Sequence, residues 1–238
     1  MKDQKVVAII QARMSSSRLP GKVMMDLCGK PLLGRVIERV KSSETIEETI
    51  LATSTETADD VIELYGRANR CNVFRGSMDD VLDRYCEAEK MVSADIIVRV
   101  TADNPFIEPR FIDSGTHHLV SNRLDYVCFE NIPYGSGVEV VTKSALLKAC
   151  ESAKDKADRE HVTSYIKNHP ETFKLGIIQN PFETLARPDI RVTIDTLEDY
   201  LKMYKVFWHF RDKKVVQLEK VIEFLEKMAQ FSPSKGQN

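Results

Sequence analysis

The sequence has no long apolar run. Its longest is Val6-Val7-Ala8-Ile9-Ile10, which Gln11 ends. Such a run is too short for the core of a signal peptide and far too short to span a membrane. Net charge is also scarce. The 34 Lys and Arg nearly balance the 36 Asp and Glu, leaving −2, so no global field draws the chain to nucleic acid or to a membrane surface. The five cysteines, at 28, 71, 86, 128 and 150, are odd in number and form no C-x-x-C pair. They suggest neither a disulfide framework nor a zinc site. Free thiols in a reducing cytoplasm are the expectation. Two phosphate-binding glycine signatures, G-x-x-x-x-G-K-[ST] and G-x-G-x-x-G, are missing as well.

What is present fits an ordinary soluble globule: 238 residues, 42% apolar and 29% charged. The length suits one large domain or two small ones. Strand-like segments at 6–10, 49–53, 72–75 and 95–100 alternate with helix-like segments over the first half. That order predicts an α/β fold with a mostly parallel sheet flanked by helices. Beyond about residue 124 the pattern loosens. Strands are expected at 126–129, 138–141, 173–179 and 190–194, with helices near 143–153, 158–168, 196–210 and 215–230. The economical reading is one domain over 1–238, carrying a small β-rich portion at about 124–180 and a frayed tail at 231–238.

Against the neutral background, one loop stands out. Arg13, Arg18 and Lys22 lie close together after the first strand, with no acid until Asp26. Ser15, Ser16 and Ser17 are small enough to let backbone N–H groups approach a phosphate. Gly21 permits backbone angles closed to other residues. In open parallel sheets ligands bind at the carboxyl ends of strands. A polyphosphate site and a plain solvated loop both fit this composition.

Two acids follow strand-like segments: Asp103 in Arg99-Val100-Thr101-Ala102-Asp103-Asn104-Pro105, and Asp195 in Arg191-Val192-Thr193-Ile194-Asp195-Thr196. Each alone reads as a turn former or helix cap. Together, facing a cationic loop, they suit magnesium, which takes one or two carboxylates plus phosphate oxygens and water.

The chain resembles the cytidylyltransferases that activate sugar acids, such as the synthetases of CMP-sialic acid and CMP-3-deoxy-manno-octulosonate. The resemblance rests on Ile10-Gln11-Ala12-Arg13, Ser17-Arg18-Leu19-Pro20-Gly21-Lys22 and Gly29-Lys30-Pro31-Leu32. A closer branch, that of the spore coat polysaccharide biosynthesis protein F, is matched by four further stretches. They are Val73-Phe74-Arg75-Gly76-Ser77 with Asp79-Asp80-Val81-Leu82-Asp83-Arg84-Tyr85, Arg99 to Pro105, Arg159-Glu160-His161-Val162-Thr163, and Thr193 to Asp199. The resemblance spans about residues 6–210. It implies a Rossmann-like nucleotide-diphospho-sugar transferase fold. It also implies that CTP or another NTP and a sugar or sugar acid combine to give a nucleotide sugar and pyrophosphate. Carried over by position, Gln11, Ala12, Arg13, Arg18, Gly21 and Lys22 belong to the nucleotide site. Asp103 and Asp195 would hold Mg2+, with Arg18, Lys22 and Asp103 catalytic. The first motif departs from the better-known sugar-acid synthetases, which have Pro where Gln11 stands.

His161 and Glu139 are the candidates for sugar binding. For His161 the bland alternative is a place in a helix capped by Asp158. For Glu139 it is a solvent-facing acid beside a hairpin turn at Gly135-Ser136-Gly137. A homodimer is expected, because the β-rich portion and the last helices supply apolar area beyond what one sheet needs. Two rival classes remain: a glycosyltransferase that uses a nucleotide sugar, and an inactive scaffold of polysaccharide assembly. The first typically carries Asp-x-Asp, which this chain lacks.

Overall fold

A computed structural model describes residues 4–213 and 215–231. Four parallel strands form its centre: β1 (Val6–Gln11), β2 (Glu48–Ser54), β3 (Asn72–Gly76) and β4 (Ile96–Thr101). Three more, β5 (Tyr126–Glu130), β6 (Glu139–Thr142) and β7 (Leu175–Gln179), complete one seven-stranded sheet in the order β3-β2-β1-β4-β6-β5-β7. Only β6 runs against its neighbours β4 and β5; β7 is parallel to β5. The β-rich stretch therefore continues the central sheet. Because β6 is reversed, the residues just before it lie at the same edge as the carboxyl ends of β1 and β4.

The apolar run of β1 is continuous because both its faces are covered. Ala8 and Ile10 face one core with Leu33, Val98 and Phe111, while Val7 and Ile9 face the other with Leu82, Tyr85 and Leu146. The first core is closed by α1 (Leu32–Val40) and later by α4 (Pro109–Asn122), α8 (Leu197–His209) and α9 (Leu218–Phe231). The second is closed by α3 (Val81–Lys90), α5 (Lys143–Ser152) and α7 (Ser164–Asn168). Helix α2 (Asp60–Ala68) packs beside β2 and β3.

Three segments differ from expectation. Residues 190–194 are extended but form no strand, since both flanks of β4 are already taken by β1 and β6. They make an isolated bridge between Tyr134 and Arg191, and Ile194 N–H donates to Asp103 O at 2.9 Å. The stretch 158–168 is two short helices, α6 (Lys156–Glu160) and α7, broken at residues 161–163. Helix α4 has no counterpart in the sequence reading; Pro109 opens it and Glu108 caps it by accepting from Arg110 N–H. Of the tail expected to fray, residues 232–238 lie outside the described residues.

Candidate active site

The cationic loop follows β1 at the carboxyl edge of the sheet, and it is held from below. Asp59, fully buried, accepts from Met14 N–H through Oδ1 at 2.7 Å and from Ser54 N–H and hydroxyl through Oδ2. Gly21 N–H closes the loop on Met14 O at 2.8 Å. Gly21 sits at φ 72, the left-handed region that favours glycine. That turn feeds a single 3-10 turn, Lys22–Met24, and aims Lys22 inward.

Lys22 is 7% exposed, and its ammonium has three acceptors for its three protons. It donates to Asp103 Oδ2 at 3.0 Å, Asp195 Oδ1 at 3.0 Å and Ile194 O at 2.7 Å. The two acids chosen from the sequence thus converge on one point, although they lie 92 positions apart. Asp195 gets there on the extended segment that lies along Asp103, and it caps nothing. The cap of α8 is Thr196, in a reciprocal pair with Asp199. Arg18 reaches Asp195 Oδ1 at 2.8 Å from a side chain that is 61% exposed, and Arg191 also pairs with Asp195. Burial works to raise the Asp195 carboxyl, but Lys22, then Arg18 and Arg191, outweigh it and hold it below the usual carboxylate range.

Above these groups opens a cavity of about 310 Å³. Gln11, Ala12, Arg13, Arg18, Lys22, Asp103, His161 and Asp195 all line it. Gly21 shapes the turn without lining the cavity. Arg13 lies 4.0 Å from Glu160, a lining residue to which the sequence reading gave no role. Arg84 is another, almost wholly buried at 1% exposure. It belongs to one of the quoted motifs, but its place one turn into α3 concealed that it faces the site.

Glu139 is placed differently from the expectation that it binds sugar. It is not among the residues lining the cavity. Tyr126 hydroxyl and Lys167 donate to its Oε1, and Arg99 and Thr163 hydroxyl to its Oε2. All its acceptor positions are occupied. Burial pushes its carboxyl up, yet Arg99 and then Lys167 reverse this and bring it down to about 2.

Among the described residues no group of three or more His, Cys, Asp or Glu is arranged to hold a metal ion. The available donors are two carboxylates that meet at a single cation and open on a cavity. That set suits magnesium arriving with phosphate oxygens and water, rather than a metal held by protein alone.

The sequence profile of the cytidylyltransferase family matches residues 7–235. An uncharacterised protein of Methanocaldococcus jannaschii is 42% identical over 227 residues, covering 95% of this chain and 93% of its own. The spore coat polysaccharide biosynthesis protein SpsF of Bacillus subtilis (strain 168) is 34% identical over 227 residues, covering 93% and 94% respectively. The solved structure of a cytidylyltransferase from Leptospira borgpetersenii serovar Hardjo-bovis superposes with a TM-score of 0.86 at 30% identity, over 99% of both chains. The match runs through the cationic loop, both acids and every strand of the sheet, and the chain belongs to the cytidylyltransferase family.

Proposed function

We propose that the protein transfers the cytidylyl group of CTP to a hydroxyl of a sugar or sugar acid, releasing pyrophosphate, in the assembly of a surface polysaccharide. The observation that carries this reading is the convergence of Asp103 and Asp195 on Lys22 beneath a loop bearing Arg13 and Arg18. The acceptor oxygen forms a bond to the α-phosphorus as the bond to pyrophosphate breaks. Charge on the phosphate oxygens resists that attack, and preorganised cations offset it where it develops. Arg13, Arg18 and Lys22 supply fixed positive charge at the mouth and floor of the cavity. Asp103 and Asp195 would hold Mg2+, which when bound withdraws charge from the phosphates. The polysaccharide role draws on the name of the Bacillus relative.

Pyrophosphate release with each of the four NTPs, tested against sugar acids and amino sugars, checks this. Release that requires CTP and a sugar is expected. A clear preference for GTP or UTP would overturn the base assignment, and silence with every NTP would overturn the transferase reading. Two copies of the chain are proposed to pair. Leu197, Leu201 and Trp208 are half-exposed along α8, which supports a covered face. Light scattering at micromolar concentration should give twice the 27.1 kDa of one chain, and the single mass refutes pairing.

A further inference from the structure

Arg84 is a buried guanidinium that forms an ion pair with no carboxylate among the described residues. Arg39 shows what a structural buried arginine looks like in this fold. It donates to Ile107 O, to Val216 O and to the carboxylate of Glu108. Arg84 makes a single hydrogen bond among the described residues, from one terminal nitrogen to Ser77 O at 3.1 Å. Its Nε is buried with no acceptor, and it forms no salt bridge among those residues. The nearest acids are engaged elsewhere. Asp80 is taken by Arg159 through Oδ2 and caps α3 through Oδ1. The oxygens of Asp59 hold Met14 and Ser54. Arg13 lies near enough to add to the positive field around Arg84.

Arginine does not escape such a position by losing its proton. A buried charge without a partner is costly, and Arg84 is among the residues that line the cavity. We propose that Arg84 binds an anionic group of the substrate from beneath the cavity, so that its charge is neutralised only in the liganded enzyme. This rests on the transferase reading above. The anion is either a phosphate of the nucleotide or the carboxylate of an acid sugar, both of which present paired oxygens to a guanidinium fork.

The test is Arg84→Met, which keeps the length of the side chain and removes its charge, with Arg84→Lys as a control that keeps the charge. Calorimetry on each uses pyrophosphate, CTP and cytidine with magnesium, and 3-deoxy-manno-octulosonate with CMP. Melting is followed without ligand. The expected result for Arg84→Met is an affinity lower by about tenfold or more for one anionic probe. Cytidine binding should be unchanged and the melting temperature equal to or above that of the wild type. Partial recovery is expected in Arg84→Lys. Loss with pyrophosphate and CTP assigns Arg84 to the phosphates; loss confined to the sugar acid assigns it to the carboxylate. Wild-type affinity for every anion in Arg84→Met overturns the proposal, as does a lowered melting temperature with weaker binding of all probes, cytidine included. Wild-type protein that binds none of the probes instead overturns the transferase reading.

Discussion

Two clusters in this molecule bring carboxylates and cations together and do opposite things. Around Glu139, four donors from β4, β5, the residue before α7 and α7 itself surround one carboxylate, and every acceptor position is filled. In the cavity the cations are in excess. Among the described residues Arg18 is mostly exposed, Arg13 has an acid only at 4.0 Å, and Arg84 has none in an ion pair. A saturated cluster fixes a fold; an unsaturated one waits for a ligand. Counting what is left over after all internal bonds are drawn separates the two, where counting charges does not.

The sharpest way to break this contrast is to remove the acids of the cavity. Asp103→Asn and Asp195→Asn keep shape and lose charge. Each should lower turnover on the order of a hundredfold or more. Asp103→Asn should hardly change the melting temperature, whereas Asp195→Asn should lower it, because its carboxylate pairs with the buried Lys22. Near-normal turnover in both would place these acids with Glu139 as structural.

On the stability side the largest effect is that of Glu139→Ala. It leaves Arg99 buried without its carboxylate, and urea unfolding should show a loss of about 3–5 kcal/mol. CTP affinity should hold. The same group predicts an acid limb. Its carboxyl falls from an ordinary 4.5 to about 2 on folding, so its stabilising effect is complete above 4.5 and disappears as pH falls toward 2. Wild-type stability should therefore drop more steeply than that of Glu139→Gln between those values. Equal slopes would mean that Glu139 is not held ionised.

The smallest expected effect is that of Arg18→Ala. Triphosphate binding should weaken by about 1.5–3 kcal/mol, while stability hardly moves, because a largely exposed ion pair contributes little. A variant with unchanged CTP affinity would make Arg18 an ordinary surface cation.

The sequence disclosed the parts of this molecule whose signal is local. The buried strand β1, the loop after it and the two acids at the carboxyl edge are each readable in a dozen residues or fewer. Helix α4 was not, because Ser114, Gly115, His117, His118 and Ser121 dilute its apolar spacing. Gly115 is small for a packing reason, since a Cβ there would come within 3.0 Å of Val140 and 3.1 Å of Phe129. The role of Glu139 was hidden for another reason. Its partners Arg99, Tyr126, Thr163 and Lys167 are scattered over 68 positions, and no spacing rule joins them. Arg84 is legible only once its burial and its missing partner are both known.

Asp59 bears on how a nucleotide meets this protein. It sits beyond β2, yet it fixes Met14 inside the cationic loop through a 2.7 Å bond, and it is itself fully enclosed. The loop is therefore shaped when the chain folds, and little ordering is left to accompany binding. Association should show the small heat-capacity change of a polar ligand entering a formed site, not the large one of a segment that folds around its guest. A residue beyond β2 thereby influences the entropy of a binding event that it never touches.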